Sequence, residues 1–124
     1  MNPFRANTQK IGKSAEDQAS AFLKLKGYRF VQANYRTKTG ELDLVMWDGE
    51  TLVFVEVKMR GRTDYGRPEE FVDLTKQKKL AKAALEFVKK YRYTDVPLRF
   101  DVVSIAPEGL ELIENAFEVP GYTL

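Results

Sequence analysis

Four ionisable residues interrupt apolar, β-prone runs: Glu41 and Asp43 in GELDLV, and Glu56 and Lys58 in LVFVEVK. An ionised side chain inside such a run is costly to desolvate unless it is paired or holds a cation. The dipeptide Asp48-Gly49 between the two runs is a hairpin signal. A two-residue loop there predicts partners whose numbers sum to 97, with Glu41 opposite Glu56 and Asp43 opposite Phe54. Alternation along a strand then sets Glu41, Asp43, Glu56 and Lys58 on one face. Leu42, Leu44, Met46, Val53, Val55 and Val57 form the other, a core face. A four-residue loop keeps this parity, whereas a three-residue loop separates Asp43 from Glu56.

Carboxylates facing one another across a ladder repel, and a single lysine cannot neutralise three of them. A divalent cation would. Asp43, Glu56 and the backbone carbonyl of Val57 are hard oxygen donors of the kind Mg²⁺ or Mn²⁺ takes, and Lys58 reaches the same spot. Such a cluster suits hydrolysis of a phosphodiester: the metal polarises a phosphoryl oxygen and acidifies a water, while the lysine orients that water or offsets developing charge. The alternative is a hairpin face decorated with solvated charges. Against it, LVFVEVK is nearly continuous apolar sequence, as in a strand covered on both sides. The chain has no cysteine and no histidine. Thiolate nucleophiles, imidazole bases, zinc fingers and His-ligated metals are therefore excluded.

The elements that must carry these residues follow from periodicity. Ile11, Ala15, Ala19, Phe22 and Leu23 recur at helical spacing, which predicts a helix from Ile11 to Lys26 with Gly27 as its C-terminal cap. Tyr28 to Tyr35 reads as a short strand or a strand-like connection. Leu42–Trp47 and Thr51–Met59 are the hairpin strands. Gly61–Asp73, with its glycines, proline and charges, is a loop. Leu80, Ala84, Phe87, Val88 and Tyr91 form the stripe of a second helix over Leu74–Tyr91, capped by Asp73 or Thr75. Leu98–Ile105 and Leu110–Ile113 are two further strands. With 124 residues and no repeat or low-complexity segment, the whole reads as one α/β domain, with residues 1–10 as an N-terminal arm.

The ordered segments GKSAEDQASAFLKLKGY, NYRTKTGELDLV, LVFVEVKMR, YGRPEEFVDLTKQKKLAKAA, RFDVVSI and IENAF resemble the YraN-like family of small bacterial proteins. Asp43, Glu56 and Lys58 within them resemble the signature of the PD-(D/E)xK phosphodiesterase superfamily. Leu42 stands where that signature has its proline. The resemblance implies a restriction endonuclease-like core, of the resolvase-like or tRNA endonuclease-like kind, in which a mixed β-sheet is flanked by helices. It implies a Mg²⁺-dependent endonuclease with Asp43 and Glu56 on the metal and Lys58 positioning the attacking water. Glu16 matches a helical glutamate that completes metal ligation in resolvase-like relatives, and Glu41 is a further candidate ligand. A first-turn acid favoured by the helix dipole is the other reading of Glu16.

The substrate implied is DNA, with branched recombination or repair intermediates favoured and structured RNA as the alternative. Arg60, Arg62, Tyr65 and Arg67, in the loop after the second hairpin strand, are types that bind phosphate and stack on bases, or else decorate a solvated loop. Lys76 falls on the second helix's stripe, where it would point to the site or to a phosphate, or lay its stem on the core and reach outward; Gln77 is a weaker candidate. Lys78, Lys79, Lys82, Lys89 and Lys90 read as the wet face of that helix. Asp101 is read as a partner for Arg99, outside the ligand set. Net charge is +2, yet residues 1–92 carry 19 basic and 12 acidic residues while residues 93–124 carry one and six. A basic body suits a polyanion.

Two rival readings remain open: a module of the same fold that binds nucleic acid without cutting, and a protein-interaction domain using the acidic stretch Glu108 to Glu118. No apolar run has the ~20 residues of a membrane span, and the N-terminus lacks the apolar block of a secretory signal. The expectation is a cytoplasmic protein that needs no organic cofactor; a homodimer would suit two-strand cleavage.

Overall fold

The computed structural model describes residues 15–61 and 72–119. A helix, α1, covers 15–25. It ends in a Schellman motif: Tyr28 N–H donates to Leu23 O and Gly27 N–H to Lys24 O, both at 3.0 Å, with Gly27 at φ 96°. Tyr28 and Leu23, the two residues such a motif brings together, are both in the core. Then follow β1 (Arg29–Arg36), β2 (Glu41–Asp48), β3 (Thr51–Met59), α2 (Leu74–Lys90), β4 (Leu98–Ala106) and β5 (Gly109–Ile113). Asp73 caps α2 by accepting from Lys76 N–H at 2.8 Å, and Tyr91 closes its C-terminus. Residues 11–14 of the expected first helix and the N-terminal arm lie outside the described residues.

The strands form one mixed sheet in the order β1-β2-β3-β4-β5. All neighbours are antiparallel except β3 and β4, which run parallel, and α2 supplies the crossover that a parallel pair requires. The central strands are covered on both faces. On one side Leu52, Phe54 and Val102 pack with Leu80, Ala84, Phe87 and Val88 of α2. On the other, Val53, Val55 and Val103 pack with Ala15, Ala19 and Leu23 of α1. Phe87 is the hub of the α2 side, with ring centroids 4.7 Å from Tyr91, 5.1 Å from Tyr35, 5.9 Å from Tyr93 and 6.0 Å from Phe54. Each large apolar side chain fully buried in this way stabilises the fold by about 1.5–3 kcal/mol.

The hairpin register differs from the expected one. Asp48 pairs with Thr51 and Leu44 with Val55, so partners sum to 99 and the two-residue loop is Gly49-Glu50. Gly49, at φ 60°, takes the first central position, where a type II′ turn needs a left-handed residue. The shift is by two, so parity survives, but the facing partners change: Asp43, expected opposite Phe54, comes opposite Glu56 if the register is extended one step.

The ladder between β2 and β3 stops at Leu44 and Val55. Beyond it the Val57 N–H donates to the Asp43 carboxylate at 2.9 Å instead of to a β2 carbonyl. In the β1–β2 register Asn34 falls opposite Asp43, between the pairs Ala33–Leu44 and Tyr35–Leu42, and is left-handed at φ 54°. Asn tolerates this conformation better than other residues with a Cβ. The strands change facing at this point. Ala33 and Leu44 pack on the α1 side, whereas Tyr35 and Leu42, two residues along, pack on the α2 side. Leu42, expected to share a face with Leu44, is moved across by this kink.

A buried polar cluster ties the far end of the sheet together. Asp101, at 0 % exposure, accepts from Tyr28 Oη at 2.8 Å, from Arg99 Nε at 2.8 Å and Nη2 at 2.9 Å, and from Asn115 N–H at 2.9 Å. Arg99 also reaches Asp48 at 2.8 Å. Its guanidinium is held above its ordinary pKa chiefly by the bond to Asp101, and burial pushes the Tyr28 hydroxyl up, so both act as donors. The cluster fixes the end of α1 and the hairpin turn to β4.

Candidate metal and phosphate site

Where β2 and β3 part, Asp43 and Glu56 line an open cavity of about 390 Å³ with Gly40, Glu41, Asp73, Thr75, Lys76, Lys79 and Leu80. The sheet supplies Glu41, Asp43 and Glu56, and the N-terminal end of α2 supplies Lys76 and Lys79 together with its capping Asp73. Glu56 is buried, at 6 % exposure, and Lys76 Nζ lies 2.6 Å from its Oε1. A buried carboxylate requires such a partner. Lys76 is held above its ordinary pKa: burial opposes its charge, but the hydrogen bond to Glu56 and the carboxylates around it more than offset that.

Among the described residues Asp43 makes no such ion pair, although the Lys76 charge lowers its pKa in part. Burial first, then the neighbouring Glu56 charge, push its carboxyl up to about 7, and the Val57 N–H only partly offsets them. Thus the strand pair carries one compensated carboxylate and one that is half-buried and repelled. Mg²⁺ commonly takes one or two carboxylates and keeps several waters. Asp43 and Glu56 beside an open cavity fit that donor set, and the Lys76 ammonium already marks Glu56 as a cation-binding group.

The remaining expected residues divide. Among the described residues no three acidic side chains converge as a metal-holding group. Glu41 lines the cavity but is exposed and lies 3.7 Å from Arg36, its partner in the β1–β2 ladder. Glu16 stands on α1, packed on the opposite face of the sheet. It lines a neighbouring cavity of about 330 Å³ with Asp17, Ser20, Lys24 and Asn34. Burial raises its carboxyl above the ordinary value, the hydrogen bond to Asn34 opposes this, and Glu41 and Asp17 add to the rise. Glu16 therefore lies near enough to Asp43 for their charges to repel, while it lines a different cavity from the one that holds Asp43 and Glu56.

Lys58 shares Glu56's parity and faces Ser104 in the parallel ladder. It does not line the cavity, and no ion pair joins it to a described carboxylate. The cation on Glu56 comes from α2 instead of from β3. Val57 contributes its N–H, to Asp43. Arg60 continues the β3–β4 ladder, its N–H donating to Ile105 O at 2.8 Å, and does not line the cavity. Arg62, Tyr65 and Arg67 lie outside the described residues. Gln77 binds the Val72 carbonyl at 2.9 Å, which anchors the start of α2. Lys79, assigned from sequence to a wet face, lines the cavity, and so does Gly40. A Cβ on Gly40 would stand 3.2 Å from the Lys79 carbonyl oxygen, so the β1–β2 turn approaches α2 closely. Lys79 falls three residues after Lys76 on the helix, a spacing that could have revealed it.

A mixed α/β domain with a five-stranded sheet between two helices, and paired carboxylates where two strands part, defines the class. Residues 15–105 match the model of the uncharacterised protein family UPF0102, and the chain belongs to this family, the one its YraN-like segments resemble. A UPF0102 protein of Desulforapulum autotrophicum is 46% identical over 114 residues, covering 89% of this chain and 94% of that one. One of Stutzerimonas stutzeri is 46% identical over 118 residues, covering 91% and 98%. One of Syntrophus aciditrophicus is 42% identical over 114 residues, covering 89% and 90%. Among the described residues no helix is long and apolar enough to cross a membrane.

Proposed function

We propose that the protein is a Mg²⁺- or Mn²⁺-dependent phosphodiesterase of restriction endonuclease-like architecture, acting on DNA and on branched recombination or repair intermediates in particular. The observation that carries this reading is the shared cavity: Asp43 and Glu56 on the sheet side, Lys76 and Lys79 on the helix side. A phosphodiester needs both, a cation at the phosphorus and donors for the remaining phosphate charge. Asp43 and Glu56 hold the ion. When bound, a divalent cation supplies Lewis acidity and an acidified water. Lys79 and the N-terminal turn of α2 receive the phosphate oxygens, where the helix dipole adds to the lysine charge. Glu16 and Glu41 deepen the negative potential that attracts the cation. Lys58, on Glu56's side of β3, is the group to approach the attacking water once substrate is present, since catalytic contacts often tighten only in the complex.

The test is incubation of the purified protein with end-labelled branched, single-stranded and duplex DNA, with and without Mg²⁺ or Mn²⁺, beside Glu56→Gln. Metal-dependent cleavage by the wild type alone is expected. DNA binding with no cleavage of any substrate would replace the enzyme by a binding module, a reading to which the Lys76–Glu56 pair lends support because it neutralises Glu56 without a metal. Binding to no nucleic acid at low salt, where electrostatic affinity is greatest, would refute both.

A further inference from the structure

The Lys76–Glu56 pair joins a nearly inaccessible carboxylate to a lysine whose side chain is 47 % exposed. The backbone of Lys76 is fixed, because its N–H is spent on the Asp73 cap in the first turn of α2. Its long side chain is not fixed in the same way; it borders open solvent and can turn outward without disturbing the helix. An ammonium group and a metal ion compete for the same lone pairs of Glu56. Among the described residues Asp43, beside them, makes no ion pair, and the Lys76 charge offsets only part of what burial and Glu56 impose on it.

We propose that Lys76 is an exchangeable internal cation: it occupies Glu56 in the metal-free protein, is displaced when a divalent ion enters between Asp43 and Glu56, and then carries its charge to the cavity mouth beside Lys79, where it binds a phosphate oxygen of the strand. This inference rests on the metal-dependent reading above and adds regulation to it. Before exchange, Lys76 weakens metal binding. After exchange, its freed charge strengthens phosphate binding. Metal and phosphodiester therefore bind cooperatively, and linkage makes the coupling the same in both directions. The pair also keeps the buried Glu56 compensated whenever no metal is present.

The experiment is calorimetric titration of Mn²⁺ alone into the full-length wild type, Lys76→Met and Lys76→Arg. Lys76→Met is expected to bind Mn²⁺ at least about tenfold tighter than wild type, with Lys76→Arg close to wild type and DNA affinity in the presence of metal reduced in the Met variant. A merely structural lysine would leave metal affinity equal or lower in Lys76→Met. Equal or weaker Mn²⁺ binding by Lys76→Met, with clear binding by wild type, overturns the exchange and leaves the metal site standing. No Mn²⁺ binding by either protein overturns the metal site and the exchange together. Lys76→Gln, which keeps a donor for Glu56 without the charge, repeats the comparison if the Met variant does not fold. The Mn²⁺-induced rise in melting temperature, expected to be larger without the lysine charge, gives an independent readout of the same ranking.

Discussion

Replacing Asp43 by Asn should stabilise the protein. The amide oxygen can still accept the Val57 N–H, while the desolvated charge and its repulsion with Glu56 are removed. Between the ordinary carboxylate value of 3.8 and about 7, the ionisation penalty amounts to about 4 kcal/mol at ~1.4 kcal/mol per pKa unit. Relaxation and water entry reduce the realised gain to about 2–4 kcal/mol. The sign follows from linkage: the folded state holds the Asp43 proton more tightly than the unfolded chain does. Wild-type stability is therefore lost as pH rises from about 4 to about 7, and the full penalty applies above that. The substituted amide does not titrate, so the advantage of Asp43→Asn is greatest near pH 8 and falls to about a quarter at pH 4.5. Urea unfolding followed by the fluorescence of Trp47, which packs 5.6 Å from the Tyr93 ring, reads both values. With a urea dependence near ~2 kcal/mol per molar, the midpoint at pH 8 rises by about 1–2 M. Equal midpoints at pH 8, or an advantage independent of pH, would refute the claim that this carboxylate is desolvated and repelled.

Two further substitutions probe the frame around the site. Asp101→Ala leaves Arg99, Tyr28 and the Asn115 N–H without their shared acceptor and should cost about 3–5 kcal/mol, read as a lowered urea midpoint; an unchanged midpoint would mean the cluster does not hold α1 to β4. Gly40→Ala places a Cβ against the Lys79 carbonyl and should cost about 1–2 kcal/mol, with a wild-type midpoint contradicting the close approach of the turn to α2.

Much of the frame is legible in local pattern. The two helices declare themselves through their apolar stripes and caps, and Thr51–Met59 coincides with the observed β3. Asp43 and Glu56 meet as alternation requires, although the register lies two off, because Asp48 is spent as a paired residue and Gly49 carries the turn. What sequence did not disclose depends on long-range packing or on one residue's backbone. The change of facing at Asn34 moves Leu42 and turns Asp43 toward the Val57 N–H. The stretch YRFVQANY reads as a short strand or strand-like connection, and only an asparagine inside it, a poor strand former, hints at the kink. Lys76 could be placed on a stripe but not on Glu56, since that contact exists only once α2 has crossed the sheet. The Arg99–Asp101 pair is visible two residues apart, whereas Tyr28 and Asp48 join it from 71 and 51 positions away.

The central claim is that Asp43 and Glu56 together form a cation site. Calorimetric titration of Mn²⁺ into the wild type, Asp43→Asn and Glu56→Gln tests it most directly, with urea midpoints establishing that all three are folded. One ion per chain in the wild type and none in either variant is the predicted result. No binding by the wild type, or equal binding by all three, would contradict the account and leave the charges where β2 and β3 part without a metal to hold.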